Sequence, residues 1–332
     1  MRLPRLTAHH HHQFFLPKPL PSHIHISIRR SSTAPGPTLL KTHNIPAPHL
    51  GHIRVLSLNN PRTRNAISRQ LLSELSHEID TVKQETEDEL ARKTEGEGGV
   101  IGAGTRVLIL ASEIDECFCA GADLKERRGM SGQETQHFLH TLRATLTDLS
   151  ALPIPTISAV ASLALGGGLE LALATTFRIF ATSATVALPE SRLAVIPGAG
   201  GTYRLRRLIG ERRALEMVLT GRRVGGAEAG RMGLCERVVE VGGGADGEGD
   251  GGWMGGREWK REVRERVFEG AVGMAREICE GGPGAVGAAM RAVGEGTEGA
   301  EGREYEGVLG MGDRDEALRA FGEKRKAVFR GQ

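Results

Sequence analysis

An α/β fold is what this sequence predicts, and three observations predict it. Short β-branched runs alternate with segments of helical periodicity between residues 52 and 241. The glycine run Gly166-Gly167-Gly168 stands at a junction between an apolar strand-like stretch and an apolar helix-like one. With 332 residues and 39% hydrophobic side chains, the chain is long enough to bury one large core.

Taken in order, residues 52–58 and 106–111 read as strands because Val, Ile and Leu dominate them. Between them, Leu71, Leu72, Leu75, Ile79 and Val82 recur at helical spacing, so a helix is expected over 68–83 with Ser68 as its N-cap. Residues 85–104 are charged and then Gly-rich, which reads as an exposed insertion. A helix is expected over 131–149, ended by Pro153 and Pro155, and a strand over 156–160. The glycine run then opens a helix over 169–174, and 178–181 is a strand. Helices follow over 205–219 and 227–232, and a strand over 236–241. Residues 242–256 are almost pure Gly with acids and mark a linker. Beyond it, helices are expected over 257–279, 285–293 and 313–328. These carry many glycines, each weakening a helix by up to ~1 kcal/mol relative to Ala, so they depend on packing against the body or another subunit.

Charge is unevenly spread. Residues 1–30 hold Arg2, Arg5, Lys18, Arg29 and Arg30 and no acid, and the first acid is Glu74. Residues 1–40 therefore read as a mitochondrial transit peptide, delivering the protein to the matrix. The His9–His12 run lies inside it. The body that remains is mildly acidic and aromatics are 4% of the chain, so neither a basic footprint nor a stacking platform for nucleic acid is expected. No apolar run is long enough for a membrane span. Only His77, His137 and His140 lie beyond His52, so a His-based triad or zinc site in the body is not expected. Cys117, Cys119, Cys235 and Cys279 read as reduced, mostly buried thiols.

The chemistry concentrates in a few segments. A helix N-terminus leaves backbone N–H groups unpaired, and glycine lets a ligand oxygen approach them, so Gly166-Gly167-Gly168 suits an anion or oxyanion. Ala122, in the turn Ala120-Gly121-Ala122-Asp123, can present a second N–H; the plainer reading of that turn is a capped one with Asp123 bonding local amides. Glu170 and Glu190 each sit in an apolar surround, where a carboxyl's pKa rises toward the range useful for proton transfer. Two amides and two carboxylates suit chemistry on an acyl thioester.

Asn59-Asn60-Pro61, Phe118–Glu126, Pro155-Thr156, Ala164–Ala174 and Pro189–Arg207 resemble the enoyl-CoA hydratase/isomerase (crotonase) family. Within it, Cys119–Glu126 and Leu163–Ala174 look most like the mitochondrial methylglutaconyl-CoA hydratases. The resemblance implies a crotonase-like superhelix of ββα units over residues 45–241 and a C-terminal helical trimerisation region over 257–332, assembling as a homotrimer or a dimer of trimers. It implies Ala122 and Gly167 as oxyanion amides, Glu170 and Glu190 as catalytic acid and base, and Ala122, Asp123, Leu124, Lys125 and Gly167 lining the acyl-CoA groove. Arg62 and Arg64 are expected to meet the coenzyme A phosphates. No metal and no cofactor are expected, coenzyme A being part of the substrate. The implied reaction is addition of water across the 2,3-double bond of a short or branched 2-enoyl-CoA, methylglutaconyl-like or crotonyl-like. The alternatives are an enoyl-CoA isomerase using Glu190 alone and a non-catalytic binding protein of the same fold. RNA binding through the early helix is not expected, because Arg69–Asp80 carries three acids and one Arg.

The chain departs from the family pattern at Ala161-Ser162, at Thr175-Thr176-Phe177 and at Tyr203. These positions support the site rather than react, so altered stability or acyl preference is expected from them.

Overall fold

A computed structural model describes residues 38–94, 99–242 and 256–332. The expected transit peptide up to residue 37, with its histidine run, and the linker over 243–255 lie outside the described residues.

The chain opens with an antiparallel pair, β1 (Leu40–Pro46) and β2 (His52–Leu58), in which Leu40 faces Leu58. The core thus begins at Leu40, ahead of the expected residue 45, because the Leu39 and Leu40 amides are held by Glu74 Oε2 at 2.8 and 2.9 Å. Helix α1 (Arg69–Thr94) starts after Ser68, whose hydroxyl accepts from the Leu71 amide. It buries Leu71, Leu72, Leu75, Ile79 and Val82, worth roughly 1.5–3 kcal/mol each.

Helix α1 runs well past its expected end. Residues 85–94 are helical rather than part of an exposed insertion because their acids have protein partners: Glu85 accepts from Arg54 and Thr105, and buried Glu89 accepts from the Gly102 and Gly104 amides. Charge composition points to solvent, but these acids lie where buried donors need acceptors.

Three turns of a repeating unit follow, each sending one strand to a large sheet, the next to a small one, and then a helix. The first is β3 (Thr105–Ser112), β4 (Cys117–Cys119), α2 (Leu124–Arg128) and α3 (Gly132–Ala151). The second is β5 (Thr156–Val160), β6 (Leu163–Leu165) and α4 (Gly167–Leu173). The third is β7 (Phe177–Ala181), β8 (Thr185–Ala187), a 3-10 turn at Glu190–Leu193, α5 (Gly201–Ile209) and α6 (Glu211–Thr220). Gly210, at φ +81°, splits the single helix expected over 205–219 into α5 and α6. Then come β9 (Val224–Gly225), α7 (Gly226–Met232) and β10 (Arg237–Val239).

The large sheet has the order β1-β2-β3-β5-β7-β10, parallel from β2 onward, and the small one β4-β6-β8-β9. Strands β4, β6 and β8 are parallel neighbours, so the chain leaves all three at the same edge. This is the superhelix of ββα units that the resemblance implies. β4, β6 and β8, three residues each, were not anticipated: their burial depends on neighbours distant in sequence, and so short a run carries no period.

Helix α3 carries a full capping box, with the Ser131 hydroxyl accepting from the Glu134 amide and the Glu134 carboxylate from the Ser131 amide. Ser131→Ala is expected to cost about 1 kcal/mol, read as a lower urea midpoint at unchanged m.

The C-terminal region divides in its packing. α8 (Arg257–Cys279) lays Val263, Val267, Ala271 and Ala275 into the main core and covers β3, β5 and β7. α9 (Pro283–Glu295), α10 (Glu298–Leu309) and α11 (Gly312–Gly322) lie further out. α10, not anticipated, is capped by Thr297 and tied to α9 by the Arg291–Glu304 and Arg303–Glu295 ion pairs. The chain end folds back: buried Asp313 accepts from the Arg330 and Gly331 amides, and Gly331 O accepts from the Ile101 amide at 2.9 Å.

All four cysteines are buried and unpaired, and burial pushes the Cys119 thiol up to about 12. Thr175 and Thr176 bond the hydroxyls of Ser158 and Thr156 on β5, so the unusual Thr-Thr pair is held by a hydroxyl ladder beside α4. No helix among the described residues is long and apolar enough to cross a membrane.

Candidate active site

The common edge of β4, β6 and β8 gathers the residues singled out from the sequence. Ala122 follows β4, Gly167 follows β6 and Glu190 follows β8. Because the strands are adjacent and parallel, segments about 20–45 residues apart in sequence become neighbours.

Ala122 sits in an isolated parallel bridge with Ile67. Gly121 O accepts from the Ile67 amide at 2.7 Å, and the Asp123 amide donates to Ile67 O at 3.2 Å. Alternation along an extended segment then turns the Ala122 N–H away from Ile67. On that other side lies the start of α4. A Cβ built on Gly167 would stand 3.6 Å from Ala122 N, and one on Gly121 would stand 3.3 Å from Gly167 N. Neither the Ala122 nor the Gly167 N–H has a hydrogen-bond acceptor among the described residues. Two unpaired amides therefore lie side by side, one of them at a helix N-terminus.

The glycines here are sterically required. Gly166 has φ +52°, and a Cβ on it would stand 2.8 Å from the Glu190 carboxylate. A Cβ on Gly168 would stand 2.2 Å from Cys119 O, so only glycine lets α4 press against β4.

Glu170 is one turn into α4 and only 3% exposed. Its Oε1 accepts from the Ala199 amide at 2.7 Å and the Gly201 amide at 2.8 Å. No donor among the described residues reaches its Oε2. Burial pushes this carboxyl above the ordinary range, while the Gly201 and Ala199 amides and then the Arg204 and Arg143 charges pull it down. Glu190 opens the 3-10 turn after β8. Its Oε2 is buried without a hydrogen-bond partner. Burial raises the Glu190 carboxyl to about 7; its own amide opposes the rise and the charge on Glu170 adds to it. The two carboxyls thus sense each other beside the amide pair.

The loop that grips Glu170 is itself held. Arg204, buried, donates from Nη1 to Ala199 O at 2.9 Å and from Nη2 to Leu146 O at 3.1 Å. Arg143 Nε donates to Gly198 O at 2.5 Å. These supporting residues were missed; the second glycine run, Gly198-Ala199-Gly200-Gly201, was the signal that a close backbone approach happens there.

Of the other expected residues, Asp123 spends its carboxylate capping α2, where Oδ1 accepts from the Lys125 and Glu126 amides. Leu124 and Lys125 are exposed on α2. Arg62 and Arg64 are exposed in the turn after β2, and neither makes an ion pair among the described residues. Arg64 O accepts from the Ala120 amide, and Asn65 fastens the same turn to Phe118 O and Ser112, placing both arginines beside the exit of β4.

Residues 102–242 match the enoyl-CoA hydratase/isomerase family model. Over 91% of its length the chain is 48% identical to methylglutaconyl-CoA hydratase 1, mitochondrial, of Pyricularia oryzae, covering 89% of that protein. The chain belongs to the enoyl-CoA hydratase/isomerase family. Other similarities agree with this. The chain is 50% identical, over 88% of each chain, to an enoyl-CoA isomerase/hydratase of Zymoseptoria tritici. The crystal structure of an enoyl-CoA hydratase from Bacillus anthracis superposes with a TM-score of 0.72 at 37% identity, covering 89% of this chain and 100% of that one. As a member of the family the chain is an enzyme with the crotonase fold, and its relatives named as hydratases are hydro-lyases.

Proposed function

We propose that this enzyme adds water across the 2,3-double bond of a short or branched 2-enoyl-CoA, methylglutaconyl-CoA-like or crotonyl-like. The observation that carries the reading is the pair of unpaired Ala122 and Gly167 amides set beside two coupled carboxyls. The thioester oxygen accepts from both amides. Glu170 Oε2 holds the water and takes its proton as the oxygen attacks C3. The C2–C3 electrons move to the thioester, and the charge arriving on its oxygen meets donors already in place. Protonated Glu190 then delivers its proton to C2. Passage of the water's proton from Glu170 to Glu190 restores the starting pair. The step forms C3–O and C2–H bonds at the expense of the C2–C3 π bond and a water O–H bond, with no net oxidation or reduction, so it calls for no redox group, and coenzyme A serves as a binding handle. Arg62 and Arg64, unpaired and exposed, suit its phosphates, and Leu124 and Lys125 the mouth of the groove.

The same reading places the enzyme in the mitochondrial matrix, in keeping with relatives named mitochondrial. It also assembles the enzyme as a homotrimer or dimer of trimers, for which the exposed Val293, Tyr305, Leu318 and Phe321 of α9–α11 supply apolar surface.

Hydration kinetics on crotonyl-CoA and 3-methylglutaconyl-CoA test the reaction. Glu190 must carry a proton to hydrate and lack one to dehydrate, and its carboxyl titrates at about 7. Hydration also needs Glu170 ionised and dehydration needs it protonated, so both directions run from the carboxyl pair holding one proton. Both rates are therefore expected to fall together as pH rises through about 7, and to fall together again at acid pH where Glu170 takes up its proton. Purified protein that isomerises a 3-enoyl-CoA but hydrates neither thioester would replace this reading with the isomerase one.

A further inference from the structure

We propose that Arg204 is a positioning residue for hydration: it sets the loop over 197–201 on Glu170 and, through its buried charge, keeps that carboxyl ionised while Glu190 holds the proton. The inference rests on the hydratase reading above, because that reading gives Glu170 the water.

Arg204 is only 8% exposed and makes no ion pair among the described residues. A buried guanidinium with no carboxylate in contact is costly, so its charge needs another source of stabilisation. Its direct partners are neutral. Nη1 donates to Ala199 O at 2.9 Å, and Nη2 to Leu146 O at 3.1 Å and Ser150 Oγ at 3.3 Å. The centre of the Tyr203 ring lies 5.0 Å from Cζ, within cation–π range. Glu170 is the carboxyl whose charge acts on Arg204, and Arg204 in turn acts on Glu170. The two charges attract each other through the loop without touching.

Backbone of residues 199–201 joins them. Glu170 Oε1 accepts from the Ala199 and Gly201 amides, while the Arg204 side chain holds Ala199 O and its own amide donates to Gly200 O at 2.9 Å. Gly200 has φ +106°, and a Cβ there would collide with Arg204 Nη1 and stand 2.9 Å from Tyr203 Oη. Guanidinium and phenol thus fill the space that a side chain at 200 would take. Tyr203, one of the departures from the family pattern, finds its use here as the ring that covers the cation. The other charged groups around Glu170 do not replace Arg204. Arg143, on α3, is exposed and donates from Nε to Gly198 O, so water screens it. Glu190, in the 3-10 turn, is neutral in the state that hydrates.

Arg204→Gln and Arg204→Lys each keep one donor for Ala199 O and lose the fork, and only Lys keeps the charge. Both are expected to lower kcat about 10-fold and to leave KM within about threefold of wild type, because residue 204 acts through the loop and not on the substrate. The acid limb of the rate profile, where Glu170 takes up its proton, is expected to stay in place in Arg204→Lys and to move to higher pH in Arg204→Gln. Ser150→Asp puts an anion beside Nη2 from an exposed position and is expected to move the limb the same way, so it carries the test if Arg204→Gln does not fold. An unmoved limb, equal movement in Arg204→Lys and Arg204→Gln, or a loss that falls on KM overturns the proposal and leaves the hydratase standing. A kcat within about threefold of wild type in both Arg204 variants does the same. A wild type that hydrates neither crotonyl-CoA nor 3-methylglutaconyl-CoA removes the hydratase reading and this inference together.

Discussion

Glu170→Gln is expected to lower kcat for hydration by about 10³-fold or more, within the range that positioned acid–base groups supply. The amide oxygen of Gln can still accept from Ala199 and Gly201. The fold and the grip of the loop on residue 170 are therefore retained, and what disappears is the group able to take a proton from water. An enoyl-CoA isomerase working through Glu190 alone would keep most of its rate in this variant, so the loss of conjugated thioester absorbance separates the two reactions. Glu190→Gln is expected to stop both. It also has a thermodynamic signature. Folding raises the Glu190 carboxyl from 4.5 to about 7, so between those values the native state holds a proton that the unfolded chain has released. Stability contributed by that proton is full below pH 4.5 and lost as pH rises toward 7, and the Gln variant lacks this decline. Hydration by Glu170→Gln within threefold of wild type would sink the assignment of Glu170 to the water.

Gly168→Ala is expected to destabilise the protein by about 2–3 kcal/mol and to abolish most activity. The added methyl would stand 2.2 Å from Cys119 O and 2.9 Å from Cys119 Cβ, and the first of these is backbone that cannot swing aside. Relief requires α4 and β4 to part. That motion separates Gly167 from Ala122, and losing one donor to a developing oxyanion costs about 3–4 kcal/mol of transition-state stabilisation. Urea unfolding monitors the first effect and kcat the second. A variant with wild-type stability and rate would mean that the contact between these elements is looser than drawn.

Much of the site was legible because its parts are short, local and chemically unusual. A triple glycine before an apolar helix announces an exposed helix N-terminus whatever surrounds it, and an acid between Leu169 and Leu171 announces a buried carboxyl. Long periodic segments were legible too: α8 runs over the residues expected of it. What escaped depended on partners far along the chain. Residues 85–94 looked like solvent-loving sequence, yet Glu85 and Glu89 close on Arg54, Thr105 and the Gly102 and Gly104 amides. β1 escaped because its place is set by Glu74 and by β2. Arg143 and Arg204 are unremarkable arginines until the loop over 197–201 folds between them and Glu170.

By itself the sequence singled out the candidate acids and amides and most of the long helices, since helix periodicity, capping and the conformational freedom of glycine act over a few residues. Tertiary structure alone decided that Ala122, Gly167 and Glu190 share one edge, and that Glu170 and Arg143 hang from adjacent residues of one loop. Parallel pairing of β4, β6 and β8 joins segments widely separated along the chain, and no pattern within any one of them records which strands will lie next to it.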